Sequence, residues 1–188
     1  MEQEVSRNEV RWYPMHVSYH REMAVKEALE ARGIVCYVPL VTVAEKHEMQ
    51  VVARLEPAIH NLIFVHSSRE IISGLKMYDR ACSAMQYMVM KARTDKQASM
   101  VLTVGQRQME NFMKAMDVYD ERNRRVFMPF EYFKDKAGRA VRFIDGDFKG
   151  VEGTIARVNK NRSVVITMEH IGSLIITIEH ASDIEFIE

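Results

Sequence analysis

Seven histidines and two cysteines are the side chains of this 188-residue chain best suited to metal or nucleophilic chemistry. His16 and His20 stand four apart but straddle a strand-like stretch and a turn. They would not face one metal, and they read as ordinary surface or core histidines. Cys36 sits inside the apolar run IVCYVPLV, where a thiol is buried and inert rather than activated by a neighbouring base. Cys82 lies far from it, and two lone thiols in no metal-type spacing give no disulfide framework and suit a reducing cytoplasm. Gly150 is followed by Val151 and Glu152, so no phosphate-cradling loop forms there. GxGxxG, GxSxG and HExxH are absent as well. No catalytic set, metal site or cofactor site emerges, and the expectation is a protein that is not an enzyme.

The glycines raise a different question. VRFIDGDFKGVEGTIARV (141–158) places Gly146, Gly150 and Gly153 within strand-forming residues, with a charge beside each. Glycine weakens a strand, so this spacing implies a backbone that bends at set points.

The elements around these residues follow from periodicity. RWYPMHVS (11–18) reads as a strand whose ladder Pro14 complicates. REMAVKEALEARG (21–33) reads as a helix with Val25, Ala28 and Leu29 on one face, Glu22 four residues before Lys26, and Gly33 as its cap. With IVCYVPLV (34–41) as the next strand, this is a βαβ unit. Residues 42–58 are polar and mixed, a β excursion or a loop, and NLIFVH (61–66) is a short buried strand. Ser67 and Glu70 have capping-box spacing before a short helix, and Thr103 and Gln106 repeat the device. Between them, 85–91 is a weaker strand. Met109, Phe112, Met113 and Met116 form the apolar stripe of a last helix.

Four strands and three helices over residues 1–116 predict an α+β, ferredoxin-like domain. Residues 117–139 read as a charged linker, with VFMPFEYF (126–133) leading into the second module. Residues 140–188 hold five short strands with turns at DGDFKG, NKNRS and IGS, a small SH3-like all-β barrel. Lys+Arg and Asp+Glu each total 26, so no net field draws in nucleic acid or an acidic membrane. Residues 141–188 carry 5 basic and 8 acidic groups, a balance of −3 better matched to a protein partner than to phosphate. No signal peptide and no apolar run approaching about 18 residues is present, which predicts a soluble, cytoplasmic protein without membrane attachment.

The glycine stretch resembles the KOW motif, with Gly146, Phe148, Gly150, Glu152 and Gly153 at its positions. The resemblance implies that Phe148 plugs the barrel and Gly150 marks its corner. WYPMHVSYHREMAVKEALEARGIVCYVPL and LEPAIHNLIFV are similar to two segments of the NusG N-terminal (NGN) domain, and TVGQRQMENFMKAM occupies the place of its last helix. The chain therefore resembles NusG-type transcription factors over about residues 11–116 and 140–188. Relatives carry Phe-Pro-Gly-Tyr or Phe-Pro-Asn-Tyr where this chain has Ile59, His60, Asn61 and Leu62. That departure points to a specialised paralogue of the RfaH/UpxY kind.

The resemblance implies a monomeric elongation factor that modulates pausing and termination, operon-specifically and as an antiterminator. RNA polymerase, at its clamp region, would meet Tyr13, Leu62 and Phe64, with Ser73 and Lys76 near the opposite lobe. Tyr19, His20 and Arg21 would touch non-template DNA. The KOW domain would recruit a ribosomal protein or Rho, and its β-branched strands favour a barrel over a helical hairpin. Two other classes stand beside this one. A KOW-bearing, ribosome-associated RNA-binding protein would need a basic groove, and a small-molecule enzyme would need a pocket with convergent polar groups.

Overall fold

The computed structural model describes residues 8–47, 50–90, 99–118, 124–132 and 138–187, which divide between two units, Met1–Gln106 and Arg107–Glu188.

The first unit opens with β1 (Val10–Val17), α1 (Glu22–Glu30) and β2 (Val35–Tyr37). A hairpin of β3 (Leu40–His47) and β4 (Gln50–Pro57) follows, so the mixed segment after residue 42 is a β excursion. Next come β5 (Leu62–Ser68), α2 (Arg69–Tyr78) and β6 (Met85–Tyr87), then a two-stranded pair of β7 (Val89–Met90) and β8 (Met100–Val101). The main sheet has the order β2-β5-β1-β6 with every neighbouring pair antiparallel. β1 and β2 flank β5, while β5 and β6 flank β1. Two strand–helix–strand units are thus interleaved, the split βαβ arrangement of a ferredoxin-like fold.

Alternation along β1 and β5 sorts the side chains. Tyr13 pairs with Val65 and Met15 with Ile63, and these join Val17, Val25, Leu29, Ile72 and Met85 in the core. Trp12 pairs with His66, Pro14 with Phe64 and His16 with Leu62, so these six lie on the other face. Pro14 costs the β1–β5 ladder nothing. Its carbonyl accepts from Met88 N–H at 3.5 Å, so its nitrogen points to the β6 side, beyond the last β1–β6 pair at Met15–Tyr87. The N-cap of α2 differs by one residue from expectation. Ser68, not Ser67, caps α2, its hydroxyl accepting from Ile71 N–H at 3.3 Å.

α3 (Gln106–Asp117) crosses the division between the units and buries Met109, Phe112, Ala115 and Met116. The second unit continues with β9 (Arg125–Pro129), β10 (Ala140–Phe143), β11 (Glu152–Val158), β12 (Asn161–Met168), β13 (Gly172–Thr177) and β14 (Ile184–Phe186). They form one sheet in the order β14-β10-β11-β12-β13-β9. Residues 125–129, read as part of a linker, are a sheet strand. Phe127 pairs with Leu174 and Val126 with Ile175, partners too distant in sequence to be signalled locally. Asn159 and Lys160, both at positive φ, close the β11–β12 hairpin as a two-residue turn.

The motif glycines have two distinct roles. Gly146 (φ 74°) and Gly150 (φ 81°) hold the turn between β10 and β11, where Gly150 N–H donates to Phe143 O at 2.6 Å. Gly153 lies inside β11, and a Cβ there would stand 2.6 Å from Val164 Cγ1 and 2.7 Å from Val165 O. It is a close-approach glycine, needed because β12 crosses tightly at that point. Gly153→Ala is expected to destabilise the protein by about 1–3 kcal/mol through overpacking. A lowered urea midpoint at unchanged m-value would register this.

Candidate functional site

Three groups of residues carry the functional expectations, and the fold assembles each differently. The first lies at the turns joining β1 to α1 and β4 to β5. Tyr19 (φ 63°), His20 (φ 52°) and Asn61 (φ 61°) all adopt left-handed backbone, an arrangement held by hydrogen bonds. Asn61 Oδ1 accepts from His20 N–H at 3.0 Å, and Asn61 O accepts from Val17 N–H at 2.8 Å. Asn61 N–H donates to Glu22 Oε1 at 3.3 Å. Glu22 is therefore turned inward and buried, and Lys26, expected beside it, pairs instead with Glu30 at 2.6 Å. Tyr19, His20 and Arg21 are exposed together, Tyr19 at 87%. His20 meets His60 edge-on at 5.2 Å, whereas His16 lies along β1 opposite Leu62. Sequence spacing missed this pairing because the two rings come from turns 40 positions apart.

The second group is split by the sheet. Leu62 and Phe64 share the face opposite the core, along with Trp12, and both are buried. Trp12 stacks on His66 at 4.8 Å and donates its indole N–H to Gln106 Oε1 at 2.9 Å. Tyr13 is on the core side at 1% exposure and does not join them. It meets the Tyr87 ring edge-on at 5.9 Å. Tyr87 also gathers Ser73 and Lys76: its hydroxyl is 3.1 Å from Ser73 Oγ and donates to Arg69 O at 3.1 Å, and Lys76 Nζ lies 4.7 Å from the ring centre. Burial pushes both the Tyr13 and the Tyr87 phenols above the ordinary tyrosine range. Nothing local in the sequence marks Tyr87 as the hub of four other residues. Met77 and Tyr78 leave α2 exposed at 74% and 85% beside them. Burial raises both Cys36 and Cys82 to about 11, which fits inert thiols.

The third group is the glycine motif. Phe148 is buried at 1% exposure against Phe143 (5.7 Å), with the Arg124 guanidinium 4.9 Å from its ring centre. Glu152 accepts from Arg142 Nε and Nη2 at 3.0 and 2.7 Å and from Arg107 Nη2 at 2.9 Å. Its backbone is bonded reciprocally by the Asn111 amide, at 2.8 Å to the N–H and 2.7 Å to the carbonyl. The Gln108 amide adds a bond to Thr167 O at 2.9 Å, so α3 is fastened to β11 and β12. Across the sheet, Val126, Met128, Val158, Ser163, Ile175 and Thr177 line a shallow depression.

A helix-containing antiparallel sheet domain followed by a separate all-β sheet region is consistent with an NGN domain plus a KOW domain. A family model described as transcription termination factor nusG matches residues 10–113, and the chain belongs to the NusG family. It is thus a transcription termination or elongation factor in the general sense, from a family of non-enzymatic proteins that bind RNA polymerase. No curated protein matches it. Among the described residues, no helix is long and apolar enough to cross a membrane.

Hydrogen bonds from Arg142, with further help from Arg107, hold the Glu152 carboxyl below the ordinary glutamate range. A depressed folded-state pKa stabilises above the unfolded value, about 4.3, and that contribution is lost as pH falls through the lower folded value. Glu152→Gln should therefore flatten the acid limb of stability below about pH 4.3, measured as urea midpoints against pH.

Proposed function

We propose that this chain docks on the clamp region of RNA polymerase through the sheet face of Leu62 and Phe64 and reduces pausing and termination. The observation that carries the reading is the family match over residues 10–113 on a sheet whose register puts Leu62 and Phe64 together, away from the α1–α2 core. A ligand that prefers the closed clamp shifts the balance away from paused states, and a few kcal/mol of preference suffices. The NGN domain lies within residues 1–116 and the KOW domain within 140–188. Tyr13 contributes to this face indirectly, by filling the core behind it.

Around the docking face, the exposed Tyr19, His20 and Arg21 contact non-template DNA. A tyrosine 87% exposed at a rigid turn suits stacking on an unpaired base, and Arg21 suits its phosphate. Ser73 and Lys76 border the exposed Met77 and Tyr78, and this end of α2 faces the opposite lobe. The KOW domain recruits a ribosomal protein or Rho, and the depression that its β12 and β13 line together with the preceding strand β9 is the surface offered. The His60–Asn61–Leu62 departure favours operon-specific action of the RfaH/UpxY kind.

The test is a pause-resolved elongation assay with the cognate polymerase. Wild-type protein is expected to shorten pauses and raise terminator readthrough, and Phe64→Ala and Leu62→Ala to lower its apparent affinity about tenfold or more. Circular dichroism establishes that each variant is folded. Full activity in both folded variants would place the docking surface elsewhere. No polymerase binding and no effect on any template would end the polymerase reading.

A further inference from the structure

We propose that His20, Glu22 and His60 form a binding site for a divalent transition-metal ion of the zinc class. One candidate ligand atom from each residue lies within 4.8 Å of the others. Tetrahedral ligands at ~2.1 Å from zinc stand ~3.4 Å apart, so closure needs a shift of up to about 1.4 Å. His20 and His60 are exposed, and rotation of their imidazoles can supply it. Glu22 is the fixed member, at 2% exposure.

Glu22 also supplies the independent sign of a ligand. Its Oε1 accepts from Asn61 N–H, whereas Oε2 is buried without a hydrogen-bond partner. A buried carboxylate oxygen left bare is costly, and no ion pair reaches Glu22 among the described residues. A cation bound between the two imidazoles would satisfy that oxygen. Two neutral imidazoles and one carboxylate match zinc, with cobalt as a spectroscopic substitute, and suit calcium or magnesium poorly. The two histidines leave the outer coordination positions open to water.

The site would join two turns that Asn61 already draws together. The bond from Asn61 Oδ1 to His20 N–H holds one ligand's backbone, and the bond from Asn61 N–H holds the Glu22 carboxylate. Bound metal would add a third tie, fixing the turn that carries Tyr19 and Arg21. Only that consequence for DNA contact rests on the proposed function; metal binding stands independently of it.

Untagged full-length protein, stripped with chelator, is titrated with zinc against a chromophoric competitor and with cobalt by visible absorption. Wild type is expected to bind one zinc with a Kd in the low micromolar range or tighter and to give a ligand-field spectrum with cobalt. Zinc should raise its Tm by several degrees. His60→Ala, an exposed change, should weaken binding at least about tenfold and abolish the Tm shift. Glu22→Gln, which keeps an acceptor for Asn61, should do the same, while His16→Ala should leave binding unchanged. Absence of saturable zinc binding in wild type, or equal binding by folded His60→Ala, would overturn the proposal.

Discussion

The pairing of β1 with β5 is the constraint on which the first unit depends. It runs from Val10–Ser68 to His16–Leu62 without a bulge. A slip of one residue would send Tyr13, Met15, Ile63 and Val65 out of the core and bring Trp12, Phe64 and His66 into it. The same register fixes where each strand ends. Val17 N–H reaches Asn61 O just past the last pair, so the turn before β5 is held against the turn after β1. The core, the opposite face and the His20–Glu22–His60 corner are three results of one alignment.

The second unit rests on a comparable fixed point at Glu152. Its side chain collects two arginines and its backbone is held from α3 by Asn111, where β11 leaves the Gly146–Gly150 turn. The adjacent Gly153 lets β12 approach closely enough for the sheet to continue. The charged residues that flank the motif glycines therefore have separate duties. Asp147 pairs with Arg124, whose guanidinium covers Phe148, and Glu152 anchors the emerging strand. The bending that the three glycines implied in sequence is thus two tight-turn positions and one close approach.

Legibility followed the range of the interactions. β1, α1 and the α3 stripe were readable because their signal is periodic within a dozen residues; Met109, Phe112 and Met116 are buried as the spacing required. The hairpin of β3 and β4 was half readable, since its polar mixture fits a two-sided exposed ribbon as well as a loop. β9 was missed inside an expected linker because its partner β13 lies more than forty residues on. Within the candidate site, the exposed turn at Tyr19–Arg21 was visible, but its partner His60 was not. Tyr13 was placed with Leu62 and Phe64 on resemblance, yet strand parity puts it on the other side. Single-residue offsets such as Ser68 for Ser67 turn on backbone angles that side-chain pattern does not encode.

Burial of the proposed docking residues has an energetic consequence. Leu62 and Phe64 are 4% and 0% exposed, so a partner that contacts them must first have that face uncovered. Exposing a large apolar side chain costs about 1.5–3 kcal/mol, hence about 3–6 kcal/mol for two. Apparent affinity would fall roughly a hundred- to ten-thousand-fold below that of an already open face. Such a gap would make docking conditional: a second contact binding the open form better could restore what burial removes. The exposed Tyr19–Arg21 turn is available for that first contact, since Tyr19 and Arg21 need no rearrangement to be reached. A nucleic-acid segment held there would raise the effective concentration of polymerase near the sheet, adding to affinity without any new contact at Leu62 or Phe64. On the proposed reading, selectivity for particular templates would follow from the order of contacts, with the exposed polar turn engaged first and the buried apolar face second.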